Sequence, residues 1–239
     1  SDLRDAVSIP VTVKHRIGID KIERYEFVRD FVGTIAEAGC EVFIVHARNA
    51  WLQGLSPKDN REIPPLRYEL VHRLKREFPQ LTIVINGGIK SDAEIAEQLQ
   101  HVDGVMVGRQ AYHEPWQMAQ WDSRFFGSPD PAASREAVEA VWLDYLERLQ
   151  DQGRPWPQAM RHALGLYNGL AGARRWRQIW SDHKLKGLAP REVARIATEA
   201  RLAALAHAQD HQAHNAARHA DPQSDPRTEA ASEVGGHAA

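Results

Sequence analysis

Four short, almost continuously apolar runs alternate with amphipathic helical segments along the first 110 residues of the chain. The runs occupy residues 11–15, 42–45, 82–85 and 105–107. Strands that are apolar throughout are typical of parallel sheets covered on both faces, and parallel neighbours need crossover helices. The rhythm therefore predicts βαβ units, as either half of a (β/α)8 barrel or part of a doubly wound sheet. A barrel would need further strands, which we expect before Ser1.

The sequence changes character at about residue 131, after which only helical periodicity is found. Residues 131–206 hold amphipathic segments interrupted by prolines, which predicts a small all-α domain. Beyond residue 206 large apolar residues are almost absent, so that burial cannot offset the entropy of ordering. We therefore predict a partial barrel with its last four strands over 1–130, a helical domain over 131–206 and a disordered tail over 207–239.

Composition restricts the classes of function. The net charge is −2, so that any nucleic-acid binding needs a local basic face. No apolar run has the length of a membrane helix, and the opening residues do not resemble a signal peptide. The single cysteine, Cys40, fits a reducing cytoplasm, and the irregular histidines near the C-terminus give no metal site. We expect a cytoplasmic monomer. Because residue 1 is Ser1, we also expect that the chain was processed or begins inside a longer protein.

Polar residues follow each predicted strand, at the end where (β/α)8 barrels carry their sites. In chain order they are Lys14, Arg16, His46, Arg48, Asn86, Gly87, Gly88, Gly108 and Arg109. The turn at Gly87 and Gly88 would let backbone N–H groups approach an anion, and Ser91 would begin a helix whose N-terminus favours negative charge. Together with Arg109 this turn predicts a phosphate site. The alternative to a phosphate site is that these residues have structural roles or none. The glycines would then form only a tight turn, Arg109 and Lys14 would be exposed surface residues, and His46 would be structural.

Cys40 is the one thiol that could take part in chemistry. It follows Gly39 at a predicted helix-to-strand turn, which is the N-terminal rim of a barrel and the opposite end from the other candidates. Its sequence neighbours include no cation that would activate it. We interpret Cys40 as a structural thiol.

The segment from residue 154 to residue 190 is strongly basic. It contains seven lysines and arginines and a single acid, Asp182, which gives a local charge of +6. Arg174 and Arg177 are three residues apart and share a helix face, which suits phosphate contacts. The interleaved aromatic residues could stack on exposed bases, or they could form the core of a small domain with a solvated basic surface. They are Trp156, Tyr167, Trp176 and Trp180.

Several stretches resemble the tRNA-dihydrouridine synthases, and most closely the A-type subfamily. They are VTVKHRIGID, VHARNAWLQGLSPKDNR, INGGI, VMVGRQAYHEPW and GLAGARRWRQIWSD, and the resemblance covers about residues 1–185. It implies an FMN-dependent (β/α)8 barrel followed by a helical tRNA-binding domain. Reduced FMN, recharged by NADPH, would reduce uridine to 5,6-dihydrouridine at positions 20 and 20a of the tRNA D-loop, and a cysteine would protonate C5.

The resemblance also implies roles for individual residues. The FMN contacts would be Lys14, His46, Asn86, Gly87, Gly88, Gly108 and Arg109. The tRNA contacts would be Leu55, Lys58, Arg174 and Arg177. The catalytic cysteine is expected upstream of Ser1, so that this chain holds no catalytic residue and is expected to be inactive alone. Two alternatives stay open, a non-catalytic RNA-binding fragment and another phosphate-binding flavin barrel that acts on small molecules.

Overall fold

A computed structural model describes residues 2–220 of the chain. The chain divides into two compact units, Ser1–Tyr112 and His113–Ala239, which we call the sheet unit and the helical unit. This division lies earlier than the domain boundary at residue 130 that we predicted from the change in periodicity. None of the helices within residues 2–220 combines the length and the apolar character that a membrane crossing requires.

The sheet unit is built on four parallel strands, β1 (Thr12–Ile19), β2 (Val42–Ala50), β3 (Thr82–Asn86) and β4 (Gly104–Met106). Their order in the sheet is the order in the chain, β1-β2-β3-β4. A doubly wound sheet reverses its strand order at a switch point, whereas a (β/α)8 barrel adds each strand beside the previous one. The predicted α/β fold class is confirmed, with the strand order expected for half of such a barrel.

Five helices accompany these strands: α1 (Asp2–Ala6), α2 (Tyr25–Glu37), α3 (Tyr68–Glu77), α4 (Asp92–Gln98) and α5 (Arg109–His113). Helices α2, α3 and α4 each connect consecutive parallel strands, and right-handed crossovers place such helices on one face of the sheet. Phe43, Val45, Ile83 and Ile85 are fully buried. Because side chains alternate along a strand, these four residues mark the face that packs on the helices. The opposite face carries the polar candidates.

Strands β1 and β2 are longer than predicted. Their pairing continues past Arg16 through Gly18↔Asn49, after a register shift between Arg16 and Gly18. The Asn49 side chain donates to the Ile22 carbonyl at 2.9 Å, and a Cβ on Gly18 would lie 2.5 Å from that same oxygen. Glycine therefore permits the close backbone approach that extends the pair. As a result Arg16, like His46, lies inside a strand and not at its end.

Up to residue 220, the helical unit contains five further α-helices, α6 (Trp121–Phe126), α7 (Arg135–Asp151), α8 (Trp156–Met160), α9 (Ala173–Ser181) and α10 (Pro190–Ala220). Its core joins the inner sides of α7 to α10, and its most buried members include Leu146, Trp156, Met160, Tyr167, Trp176, Trp180, Val193 and Ala197. Helix α8 begins at Trp156 because Pro157 falls in its first turn, where a missing N–H is not needed.

The prediction of a disordered tail from residue 207 needs a correction. Helix α10 continues to Ala220, so that residues 207–220 are helical. Adding residues to an existing helix avoids the cost of nucleation, so that α10 can continue through a stretch that has no large apolar residue. Residues 221–239 of the predicted tail lie outside the described part of the chain.

Candidate functional site

Three predicted site strands place their polar residues in one row across the sheet. Arg16 on β1 is in register with His46 on β2, and His46 is in register with Asn86 on β3. Neighbouring strands are about 4.8 Å apart, so that these residues are close neighbours. Lys14 lies two positions before Arg16 on the same face, and its Nζ donates to Asn86 Oδ1 at 3.3 Å. The structure therefore brings Lys14, His46 and Asn86 together.

The Asn86 side chain is oriented by the strand beside it. Its Nδ2 donates to the carbonyl of Met106 on β4 at 2.7 Å, which leaves Oδ1 towards Lys14. Partial burial lowers the pKa of Lys14, and the nearby Arg16 lowers it further. Lys14 is exposed, and its ammonium beside a fixed amide is a cation with a defined position in this row of residues.

His46 is 8% exposed, and the fold holds it in the neutral form. Burial lowers its pKa most, and the surrounding cations Arg16, Lys14, Arg48 and Arg109 add to this effect in decreasing order, so that together they bring the pKa to about 4. A neutral imidazole both donates and accepts a hydrogen bond. The same cations create a positive field, which favours an anion at this edge of the sheet.

The turn at Gly87 and Gly88 requires glycine at both positions. Gly87 has φ 120° and Gly88 has φ 72°, both in the region that side chains disfavour. A Cβ on Gly87 would lie 2.6 Å from His46 Cδ2, and one on Gly88 would lie 2.6 Å from Leu66 Cδ1. The Tyr68 hydroxyl donates to the Gly87 carbonyl at 2.5 Å. The turn is thus packed tightly against His46 and held from α3.

The N-terminus of α4, where we predicted an environment that favours negative charge, carries a carboxylate of the chain itself. Ser91 forms a capping box with Glu94, as its sequence spacing indicates. The Glu94 carboxylate accepts from the backbone N–H groups of Lys90 and Ser91, both at 2.8 Å, and these bonds lower its pKa. The helix start therefore already holds a negative group of its own.

Gly108 and Arg109 differ from the glycine turn. A Cβ on Gly108 would meet no atom within 4 Å, so that glycine is not required for packing and leaves open space beside the backbone. Arg109 begins α5, and its guanidinium pairs with the carboxylate of Glu62. The guanidinium that we predicted for phosphate binding thus has a carboxylate partner, which the sequence spacing does not indicate.

The loop that carries Leu55 and Lys58 is closed by Asn60. Its Oδ1 accepts from the Trp51 N–H at 3.0 Å, and its Nδ2 donates to the Trp51 carbonyl. Arg16 Nη1 in turn donates to the Asn60 carbonyl at 2.7 Å. In this closed loop Lys58 is exposed and Leu55 is half-buried.

Sequence reasoning missed Asn60, Glu62 and Tyr68. For Asn60 a signal existed, because asparagine side chains in loops commonly bond to nearby backbone. Glu62 and Tyr68 bond to residues far from them along the chain, and no local pattern marks such pairs.

In the helical unit, the two predicted tRNA-binding arginines lie in different environments. Arg174 on α9 is exposed. Arg177 is half-buried, and its guanidinium donates to Asn168 Oδ1, while Asn168 Nδ2 donates to the His113 carbonyl at 2.6 Å. Arg174 is thus an exposed cation, and Arg177 is a cation that a loop side chain holds in place.

The aromatic residues of the basic segment belong to the core. Trp156, Tyr167, Trp176 and Trp180 are all buried, which excludes the interpretation that they stack on exposed bases. The buried carboxylate of Glu139 accepts from the Tyr167 hydroxyl at 2.7 Å and from Trp176 Nε1 at 3.0 Å. The basic face of this unit therefore contributes charge, and its tryptophans contribute stability.

Cys40 is buried just before the N-terminal end of β2, whereas His46 lies in the middle of that strand. Its Sγ lies 3.6 Å from the Val11 carbonyl oxygen and 3.5 Å from that of Val42. The prediction that it lies at the N-terminal rim, away from the other candidates, is confirmed.

Comparison with known proteins relates the chain to one family. The family model described as "Dihydrouridine synthase (Dus)" matches residues 1–202. A tRNA-dihydrouridine(20/20a) synthase of Escherichia coli O6:H1 is 55% identical over 185 residues, which cover 77% of this chain and 56% of the relative. That of Shewanella oneidensis is 50% identical over 195 residues, which cover 82% of this chain and 58% of the relative.

The chain spans about half the length of the curated relatives it matches. Among solved structures, a mandelate oxidase variant with benzaldehyde is 13% identical and covers 84% of this chain and 64% of its own, and its TM-score of 0.31 supports no inference. The family model extends over most of the chain, and sequence identity to relatives of that name reaches 55%. The predicted resemblance is confirmed: the chain belongs to the dihydrouridine synthase family.

Proposed function

We propose that this chain takes part in the reduction of uridine to 5,6-dihydrouridine in the tRNA D-loop, at the positions 20 and 20a that its relatives' names state. The observation that carries the proposal is the cluster of Lys14, His46, Asn86 and the glycine turn at one edge of the parallel sheet. The row lies at the C-terminal end of β3 and inside β1 and β2, and the C-terminal side of the strands is where α/β barrels carry their sites.

The residues of this edge fit FMN. The tight turn at Gly87 and Gly88, the open space beside Gly108 and the positive field around His46 suit the phosphate, for which Arg109 would exchange or share its bond to Glu62. When bound, reduced FMN supplies the hydride, and NADPH is the proposed reductant. Lys14 stabilises negative charge on the ring, because an ammonium in a partly desolvated site acts strongly. Neutral His46 donates a hydrogen bond to the bound group.

In the same proposal, Leu55 and Lys58 contact the tRNA from the sheet unit, and Arg174 and Arg177 contact it from the helical unit. Exposed cations on a helix suit phosphate contacts. Cys40 is not the proton donor, because it is buried at the wrong end of β2. We assign no catalytic residue within this chain.

Flavin binding to the chain tests the FMN site. Titration of FMN, followed by quenching of flavin fluorescence, should give at least about tenfold weaker binding for Lys14→Gln, because a charge-assisted contact is lost. Lys21→Gln, a matched change at an exposed lysine outside the site, should bind like the unmodified chain. Equal affinity of the two variants would remove Lys14 from the site.

Binding of tRNA distinguishes the alternatives. Arg174→Ala combined with Arg177→Ala should weaken tRNA binding and leave FMN binding unchanged. A chain that binds tRNA but no FMN would support the RNA-binding alternative, and one that binds FMN but no tRNA would support a flavin barrel for small molecules.

A further inference from the structure

A concave groove of about 300 Å³ lies in the helical unit, and no residue of α9 lines it. One wall comes from α7 and carries Trp142 and Tyr145, and the other comes from the segment around α8 and carries Arg154, Arg161 and His162. Its lining contains no acidic residue. We call it the α7–α8 groove.

The aromatic wall has the form of a stacking platform. The Trp142 and Tyr145 rings are 5.3 Å apart and tilted by 46°, and Tyr145 is 37% exposed. In contrast to the four core aromatics of this unit, Tyr145 thus has exposed ring surface, and the Arg148 guanidinium lies 5.9 Å from its ring centroid. Flat aromatic surface beside cations is the arrangement that holds single-stranded nucleotides.

The charge of the groove is positive, and Arg161 Nε donates to Nε2 of the neighbouring His162 at 3.3 Å. Arg154 and Arg161 are exposed, and no carboxylate within the described residues pairs with either one. Two acids of α7, Asp144 and Glu147, have their charges paired with Arg191 at 2.5 and 2.8 Å. These two carboxylates are therefore already paired and do not compete with a phosphate for Arg154 and Arg161.

We propose that the α7–α8 groove binds one nucleotide of the tRNA, with its phosphate on Arg154 and Arg161 and its base or ribose against Tyr145 and Trp142. The inference rests on the proposed function, since it assigns the groove to the same substrate. It adds to that function a second contact region in the helical unit, which combines charge with ring surface. Contact through α9 alone would involve charge only.

The test is the affinity of the 239-residue chain for an unmodified tRNA transcript at several salt concentrations. Arg154→Ala combined with Arg161→Ala should weaken binding about tenfold or more and should reduce the slope of log K against log salt by about one. The matched control is Arg76→Ala combined with Arg195→Ala, which removes two exposed cations elsewhere. This control should bind nearly as well as the unmodified chain.

Tyr145 separates stacking from general charge. Tyr145→Ala should weaken binding about fivefold or more, and Tyr145→Phe should restore it, because a stacked ring needs no hydroxyl. The proposal is overturned if the groove variant binds tRNA like its control, as a groove for an acidic protein segment would predict. Equal binding of the two Tyr145 variants also overturns it. If both results occur while Arg174→Ala with Arg177→Ala still weakens binding, the proposed function survives without the groove. A chain that binds no tRNA overturns the groove proposal and the proposed function together.

Discussion

In the sheet unit, the polar residues of the candidate site are also the residues that hold the local fold, whereas in the helical unit the exposed cations are separate from the polar core. Lys14, Asn86 and the glycine turn are bonded to one another or packed against His46. In the helical unit Glu139 satisfies the core, and Arg174 lies on the surface. The fixed side chains of the sheet unit suit one small ligand of defined shape. The exposed cations of the helical unit suit a long polyanion.

This difference between the units predicts which mutations lower the free energy of unfolding. In the sheet unit, a change at the site should cost stability as well as binding. In the helical unit, binding and stability should separate, because different residues provide them. The following predictions test this difference, and they run from the largest expected effect on stability to the smallest.

Glu139→Leu should destabilise the helical unit by about 2–5 kcal/mol, because it leaves the Tyr167 hydroxyl and the Trp176 N–H buried without an acceptor. Urea unfolding followed by tryptophan fluorescence measures the loss. Glu139→Gln keeps a carbonyl acceptor and should cost less. If both variants unfold at the urea concentration of the unmodified chain, this carboxylate does not support the core.

Gly87→Ala should cost about 2–3 kcal/mol, since it forces a side chain into positive φ and against His46. Gly108→Ala, a glycine of the same site with open space around it, should change stability by less than about 0.5 kcal/mol. Both variants should weaken FMN binding. Thermal unfolding and flavin titration measure the two effects, and equal stabilities would contradict the packing described for the turn.

The stability of the sheet unit should fall as the pH drops from about 6.5 towards 4. The folded chain keeps His46 neutral with a pKa of about 4, while the unfolded chain protonates it near 6.5, so that acid favours unfolding across this window. The contribution is fully present above pH 6.5 and amounts to about 1–3 kcal/mol.

Comparison with His46→Gln isolates this contribution. Urea unfolding at pH 6.5 and pH 4.5 should show a smaller loss for the variant than for the unmodified chain. His183→Gln, a change at a histidine whose side chain is 82% exposed, should leave the pH dependence as it is. Parallel pH profiles for His46→Gln and the unmodified chain would exclude His46 as the source.

Asn60→Ala should cost about 1–2 kcal/mol, because the loop that carries Leu55 and Lys58 loses its bonds to Trp51. Cleavage within residues 52–58 by a protease should become faster, and tRNA binding should weaken while FMN binding is kept. Lys58→Ala should weaken tRNA binding without faster cleavage. Unchanged cleavage of the Asn60 variant would show that the loop is held by other contacts.

Arg174→Ala should change stability by less than about 0.5 kcal/mol, because this side chain is exposed, yet it should weaken tRNA binding. Arg177→Ala should weaken binding too, with a small stability cost from the lost bond to Asn168. A clear loss of stability in the Arg174 variant would break the comparison between the two units.

The parts of the fold that follow local periodicity were predictable. The apolar runs indicated the four strands, and the Ser91 and Glu94 spacing indicated a capping box that the structure contains. The ends of β1 and β2 were not predictable, because they depend on how Asn49 and Gly18 meet across two strands. The length of α10 was missed because a helix can continue without a buried face.

The sequence by itself determined the rhythm of strands and helices, the residue types at the sheet edge and the membership of the family, since all three depend on patterns along the chain. Only the tertiary structure decided which groups meet: Lys14 with Asn86, Arg109 with Glu62, and the tryptophans of the basic segment with the core. The physical reason is that hydrogen bonds and burial depend on the positions of atoms in space, and residues 47 or 72 positions apart become neighbours only when strands and loops take up their register.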